Sequence, residues 1–326
     1  MKKKILNILK NSDEEYISGE RISEEIGITR AGIWKHIKNL KELGYEIESV
    51  PNKGYKLVCG PDLIIPEEVE SLLSTKYIGR TFIHYDTIDS TNIQCRKECG
   101  NNLVEGLVVA SEEQTSGKGR LGRAWISPKS TGIWMSVVLT PDISPVLAPK
   151  TTLIGAAAVY KALNDMGIQA GIKWPNDIVI DGKKVCGILT EMNAEIERVN
   201  YVIMGIGINV NMEEFPQELW EKATSLKNYL GRKVDRKLLL AGILNNLEVF
   251  YEDFKTSGNI EKVIEICRNG SVLLNKEVKV INGSKETKCI AIDIDDDGEL
   301  IVKYEDDTIH KVLSGEVSVR GIYGYI

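Results

Sequence analysis

Residues 111–128 read SEEQTSGKGRLGRAWISP. Gly117, Gly119 and Gly122 let the backbone turn sharply and come close to a ligand. Lys118, Arg120 and Arg123 bring three positive charges within six residues, and Trp125 adds a flat apolar ring. Recognition of a phosphate beside a nucleobase asks for that mixture of bare amides, delocalised cations and a stacking surface. The same residues spell G-x-G-x-x-G, which in a dinucleotide-binding sheet follows a strand and opens a helix. Here the motif runs into Ala124-Trp125-Ile126-Ser127-Pro128, an extended stretch stopped by proline, which argues against a doubly wound parallel fold. No glycine is followed by Lys-Ser or Lys-Thr at the spacing of a phosphate-binding P-loop.

A chain of 326 residues has room for two or three domains. Its 43% hydrophobic and 27% charged composition is that of an ordinary globular protein. No apolar run approaches a membrane span, and MKKKILNILK lacks the apolar core and cleavage site of a signal peptide. Six scattered cysteines without a CxxC pair predict free thiols rather than zinc ligands, and the expected location is the cytoplasm. His36, His84 and His310 lie far apart, so no local histidine dyad or metal cluster is implied. The net charge of −6 divides unevenly: residues 1–60 carry eleven Lys/Arg and nine Asp/Glu, leaving −8 on the remainder.

Residues 1–60 read as a winged helix-turn-helix. Ile5, Ile8 and Leu9 mark one face of a first helix, and Ile22 and Ile26 the inner face of a second. Gly27 falls at the turn, Thr29 can cap a third helix, and Ile33, Ile37 and Leu40 recur there at helical spacing. Thr29, Arg30, Trp34, Lys35 and Lys38 occupy the outward side expected of a DNA-reading helix. Segments 45–50 and 55–58 alternate around Pro51-Asn52-Lys53-Gly54 as a hairpin, the wing. Net +2 is weak basicity for DNA binding, which implies that two copies bind together.

A linker flanked by Pro61 and Pro66 leads to a second domain, 65–270. Strands are expected at 81–85, 107–110, 133–139, 172–174, 177–180, 185–191 and 201–208, with a long helix at 149–166 and further helices near 235–254 and 260–267. Asp181-Gly182 forms a tight hairpin. Antiparallel hairpins among helices predict an α+β fold. Residues 271–326 change to short alternating strands with turns at Asn282-Gly283, Asp297-Gly298 and Asp306-Asp307, the texture of a small β-barrel. Asp293-x-Asp295-x-Asp297-Gly298 imitates the start of an EF-hand, but Tyr304 stands where the closing glutamate belongs, so an acidic hairpin turn is the better reading.

Four more segments concentrate polar groups at strand ends: Asp89-Ser90-Thr91-Asn92, Lys173-Trp174-Pro175-Asn176-Asp177, Lys184-Val185-Cys186-Gly187-Ile188 and Gly205-Ile206-Gly207-Ile208-Asn209. With the motifs DSTN, GKGRLGRAW, KWPND, KVCGI and GIGINV in this order, the whole chain resembles the bifunctional biotin–protein ligase and biotin-operon repressor family. The resemblance implies a winged helix-turn-helix, a mixed α/β catalytic domain of the class II synthetase-like biotin/lipoate ligase type, and a C-terminal SH3-like β-barrel. The family's glycine loop is usually richer in arginine; Lys118 and Leu121 stand at two of those positions, and Cys186 stands where a smaller residue is common.

The resemblance also implies roles. Ser90, Thr91, Asn92 and Gln114 would hold biotin's ureido ring, with Gly117 closing over it and Gly187 beside it. Lys118 and Lys184 would face the carboxylate and phosphate, while Arg120 retains the adenylate. Arg123, Trp125, Asn176 and Asn209 would bind the nucleotide, and Asp177 would hold Mg²⁺ or orient the incoming lysine. Lys184, Arg120 and Asp177 are the expected catalytic residues. Biotin and ATP would form biotinyl-5′-adenylate, which passes biotin to a lysine of a biotin carboxyl carrier protein domain, of acetyl-CoA carboxylase or another biotin-dependent carboxylase. A homodimer would bind operator DNA, with no membrane partner. The rival readings are a lipoate–protein ligase and a ligand-sensing repressor with an inactive enzyme domain.

Overall fold

The computed structural model describes residues 1–12, 15–42, 44–314, 318–321 and 325–326, in two compact units, Met1–Leu63 and Ile64–Ile326. The first unit has three helices, α1 (Lys2–Lys10), α2 (Gly19–Ile26) and α3 (Arg30–Glu42), then a hairpin of β1 (Glu46–Val50) and β2 (Gly54–Cys59). Ile5, Leu6, Leu9, Ile22, Ile33, Ile37 and Leu40 bury together with Tyr45 and Ile47. Leu6, rather than Ile8, completes the inner stripe of α1; Ile8 is only half-buried at its edge. Gly27 ends α2 in the left-handed region at φ +76°. The Thr29 hydroxyl accepts the Gly32 N–H at 3.2 Å, capping α3 as its position in the sequence predicts. Reciprocal 2.9 Å backbone bonds between Ile17 and Tyr55 fasten the wing to the stretch before α2.

The second unit is built on β3 (Phe82–Ile88), β4 (Val108–Gln114), β5 (Gly132–Leu139), β6 (Gly171–Lys173), β7 (Asp177–Ile180), β8 (Lys183–Ala194) and β9 (Val199–Asn209), after a short helix, α4 (Pro66–Val69). Their order is β3-β4-β5-β9-β8-β7-β6; β3 and β4 run parallel, and every other pair is antiparallel. Asp181 and Gly182 both take positive φ between β7 and β8, the backbone of a tight hairpin turn. On one face lie α6 (Lys150–Asp165) and α8 (Arg236–Ser257), with α9 (Glu261–Gly270) against α6; α7 (Leu226–Leu230) is a short helix between β9 and α8. On the other face lies α5 (Thr91–Asn101), over Cys95, Leu107, Val109, Val138 and Ile203.

At the core face Arg236, the first residue of α8, donates to Glu112 at 2.8 Å and to the Gly132 carbonyl at 2.9 Å. Glu112 also accepts the Ile64 N–H at 3.0 Å and faces His84 at 3.3 Å. Burial alone would raise the Glu112 carboxyl; His84, Arg236 and the Ile64 amide outweigh it and hold the group near 2.

The remaining strands, β10 (Lys276–Asn282), β11 (Lys285–Ile294), β12 (Leu300–Lys303), β13 (Ile309–Val312) and β14 (Ser318–Gly321), form a separate antiparallel sheet in the order β13-β12-β11-β10-β14. Turns fall at Gly283, Gly298 and Asp307, all with positive φ. In the acidic stretch Asp295 accepts the Asp297 and Glu299 amides, while Asp293 pairs with Arg268 and Asp297 with Lys150, each at 2.9 Å. These carboxylates serve the turn and its docking. Trp174 donates to the Gly298 carbonyl at 2.9 Å and fastens this sheet beside the β6–β7 edge of the larger one. All six cysteines are free thiols. Among the described residues no helix is long and apolar enough to cross a membrane.

Candidate active site

Strand register builds the site. Tyr85, Ser111, Trp134, Gly207, Gly187, Asp177 and Lys173 pair in succession across all seven strands, so they form one transverse row. Directly paired residues share a face of the sheet. The two glycines in the middle of the row leave bare backbone between an aromatic wall, Trp134, and a charged edge, Asp177 and Lys173. Trp125 lies on that bare patch: a Cβ at Gly207 would sit 2.5 Å from its Nε1, and one at Gly187 3.0 Å from its ring. The Trp125 and Trp134 rings meet edge to face at 6.5 Å. Buried donors are normally satisfied, yet Trp125 Nε1 and Ser111 Oγ have no hydrogen-bond partner among the described residues.

The amino end of α5 borders the patch. Ser90 is the N-cap residue and is buried; its hydroxyl makes no cap bond. Gln114 takes that role instead, its Oε1 accepting the Thr91 N–H at 2.9 Å and the Thr91 hydroxyl at 3.1 Å. The other end of the Gln114 amide donates to Ser127 at 2.9 Å. Asn92 lies over Gly205, where a Cβ would overlap its side chain, and is held by Ser136 at 2.6 Å and Glu191 at 2.7 Å. The positive end of the helix dipole at this corner favours an electron-rich oxygen of a ligand. Gly117 closes tightly over the same corner: a Cβ there would collide with the Trp125 carbonyl and sit 2.9 Å from the Ser127 hydroxyl.

The charged edge gathers cations from four separate segments. Lys184 Nζ pairs with Asp177 Oδ1 at 2.5 Å and stands 5.2 Å from the Trp125 ring centre. Arg120 donates to Asn176 Oδ1 at 2.7 Å, and Asn176 donates to Asp177 and to the Ile188 carbonyl, both at 3.1 Å. Burial lowers the Arg120 guanidinium somewhat from its ordinary value. Arg120 is half-buried and tied across the site to the strand-end asparagine. Lys173 is 4% exposed, and burial brings its ammonium down from 10.5 to about 8. Lys184, Arg320 and Arg123 push the same way, opposed by Asp177. Asn209 donates to the Thr224 carbonyl at 3.2 Å, and Thr224 bonds back to Lys184, so residues 222–224 fix the rim.

The structure brings together Ser90, Thr91, Asn92, Gln114, Gly117, Arg120, Trp125, Asn176, Asp177, Lys184, Gly187 and Asn209. Lys118 and Arg123 are exposed on the loop. Leu121 is exposed too, in the left-handed region at φ +57°. Sequence reasoning quoted Lys173 but gave it no role; a lysine between Ile172 and Trp174 in a short apolar strand was the available signal. Arg320 and Tyr325 carried no signal, because one lies on β14 of the far sheet and the other beyond it. For Mg²⁺ the fit is poor. Asp177 already holds Lys184, Asn176 and Tyr325 and lies among cations.

On the first unit, Arg30, Trp34, Lys35 and Lys38 are exposed on α3. Arg30 pairs with Glu20 at 2.8 Å, and Lys38 Nζ lies 5.9 Å from the Trp34 ring centre. Thr29 caps the helix, so its hydroxyl oxygen is engaged while its proton remains available to donate.

Comparison with known proteins agrees along the whole chain. Residues 2–56 match an HTH domain, residues 86–209 the biotin/lipoate A/B protein ligase family, and residues 273–320 the biotin protein ligase C-terminal domain. The chain is 39% identical to the bifunctional ligase/repressor BirA of Bacillus subtilis, over 98% of both sequences. It is 29% identical to that of Escherichia coli, over 97% of this chain and 96% of the relative. The structure of a biotin protein ligase from Aquifex aeolicus in complex with biotin and ATP superposes with a TM-score of 0.65 at 30% identity, covering 74% of this chain and 99% of that one. The chain therefore belongs to the family of bifunctional biotin–protein ligases and biotin-operon repressors.

Proposed function

We propose that the central domain activates biotin with ATP and transfers it to a protein lysine, and that the first unit represses transcription by binding operator DNA. One observation carries the ligase reading: a glycine floor, covered by Trp125 in this structure, lies between a helix amino terminus and a cluster of lysines and arginines, so with Trp125 moved onto the nucleotide an apolar body and an anionic head have adjoining places. In the first step a biotin carboxylate oxygen attacks the α-phosphorus of ATP and the bond to pyrophosphate breaks. In the second, the neutral amine of the acceptor lysine attacks the acyl carbon, AMP leaves, and the amine loses a proton. No protein nucleophile is needed; the protein's task is to screen two anions as they meet. Lys184 and Lys173 lie where that charge develops. Arg120 retains the adenylate, Trp125 covers the nucleotide, and Asn176 and Asn209 fix it. Ser90, Thr91, Asn92 and Gln114 hold the ureido ring. Mg²⁺ enters as the counter-ion of the ATP phosphates.

The lipoate reading is disfavoured by the matched biotin ligase C-terminal domain and by the polar Thr91–Gln114–Ser127 chain, which suits a ureido ring better than a dithiolane. An inactive enzyme domain would lack part of the Lys184, Arg120, Asn176 and Asp177 set, and all four meet at one edge. Free thiols and a DNA target support a cytoplasmic location, and the weakly basic first unit supports a dimer on a two-fold operator. The deciding experiment is transfer of radiolabelled biotin, with ATP, to a biotin carboxyl carrier domain. The expected result is ATP-dependent labelling of one lysine; labelling with lipoate alone, or none, refutes the ligase reading. Gel shifts on a palindromic operator, with and without biotin and ATP, test the repressor half. Tighter binding with ligand, steep in protein concentration, is expected, and equal affinities remove the sensing claim.

A further inference from the structure

We propose that Tyr325 is a positioning residue of the ligase site: its phenol holds Asp177 toward Lys184, and its ring roofs the ammonium of Lys173. The inference rests on the reading of Asp177 and Lys184 given above. Tyr325 comes from beyond β14, yet its hydroxyl donates to Asp177 Oδ2 while Lys184 and Asn176 take Oδ1. Its ring centre lies 3.3 Å from Lys173 Nζ, close enough for direct cation–π contact. The segment is seated, since the Ile326 backbone fills the space where a side chain at Gly321 would go. Burial and the neighbouring Asp177 raise the Tyr325 phenol, so it stays a protonated donor at working pH. The charged groups around the pair are Lys173 on β6, Asp177 on β7, Lys184 on β8, Arg120 and Arg123 on the glycine loop, and Arg320 on β14. In this setting one carboxylate faces five cations. With its second oxygen held by the phenol, Asp177 pairs with Lys184 and leaves Lys173 to the phosphates. Freed, it would turn toward Lys173 as well and neutralise a second cation that the phosphates need. The ring meanwhile keeps water from Lys173, so an incoming anion meets an ammonium that solvent does not screen.

The test uses the full chain with Tyr325→Phe, Tyr325→Ala and Asp177→Asn. Adenylate formation is followed by pyrophosphate release, and kcat/KM for ATP is measured from pH 6 to 10.5. Tyr325→Phe keeps the roof and removes the hydrogen bond; adenylation should slow about tenfold with KM for ATP within about twofold, the scale of one hydrogen bond to a charged group. Tyr325→Ala also exposes Lys173. The limb on which activity falls as the ammonium deprotonates should then move upward from near 8 toward the ordinary lysine value of 10.5. A merely structural role would lower the melting temperature without moving that limb. Wild-type rates in Tyr325→Phe, or an unmoved limb in Tyr325→Ala, overturns the proposal. Full activity in Asp177→Asn refutes the reading of the site itself, a result distinguishable from failure at Tyr325 alone.

Discussion

Two carboxylate–cation pairs lie on opposite faces of the same seven-stranded sheet, Glu112 with Arg236 and Asp177 with Lys184. The first is sealed: both side chains are 1% exposed or less, and a backbone carbonyl, a backbone amide and a histidine complete its bonding. The second is open by comparison, 22% exposed at Lys184 and 13% at Asp177, and its cation is surrounded by others of the same sign. A saturated pair holds a fold together. A pair with surplus positive charge and a rim open to solvent is built to exchange partners, and an arriving anion supplies the new one. The same contrast holds for the coverings. The half of the face under α5 is sealed by Cys95, Val109, Val138 and Ile203. The other half is covered by a glycine loop and one tryptophan resting on bare backbone.

The sharpest way to break this comparison is to cut each pair at its cation. Arg236→Ala leaves Glu112 buried and unpaired and should cost about 3–5 kcal/mol, the usual penalty for breaking a sealed pair. Thermal or urea unfolding would register it; a change near zero would mean that Glu112 is not held as described. The same carboxyl predicts an acid limb. Its folded value, about 2, lies below the ordinary 4.5, so the unfolded chain binds more protons between those values. That stability is present above about pH 4.5 and lost as pH falls toward 2, and Glu112→Gln should flatten this part of the stability profile.

Lys184→Ala should do the opposite kind of damage. Adenylate formation is expected to fall roughly 10²–10³-fold, the range for removing one preorganised charge-stabilising group. The melting temperature should stay near wild type. If the two fall together, Lys184 belongs with Arg236 as a structural residue.

A smaller effect sharpens the same distinction. Arg120→Gly removes a charge-assisted bond and should speed loss of the adenylate about 10–100-fold, corresponding to the range for a hydrogen bond to a charged group. Biotinylation of unrelated lysines by the escaping adenylate is the companion readout. Because Arg120 is half-buried and bonded to Asn176, a modest drop in stability should accompany the leak, unlike at Lys184. Retention equal to wild type would remove its assigned role.

In the first unit the contrast separates Thr29 from Lys35. Thr29→Ala should destabilise the unit by about 1 kcal/mol through loss of the α3 cap. Lys35→Ala should leave stability alone and lower the salt dependence of operator binding by about one phosphate contact. Loss of stability at Lys35 would place it in the fold rather than on the DNA-reading face.

What the sequence determined by itself is local. The Thr29 cap, Gly27, the Asp181-Gly182 turn, the glycine loop and the ends of β7 could be read from neighbours a few residues apart, because caps and turns are set by short-range backbone bonding. The register row could not be read in this way. It joins Ser111, Trp134, Gly207, Gly187 and Asp177, and its side chains share a face only once seven strands have paired. Glu112 looked like one more charge in SEEQ until α8 brought Arg236 onto it from 124 residues away. Tyr325 reached Asp177 across 148 residues by way of a sheet fastened at Trp174 and Gly298. Residue types and spacing named the chemistry; burial and long-range pairing, which a linear pattern does not encode, decided which charges are sealed and which stay free to act.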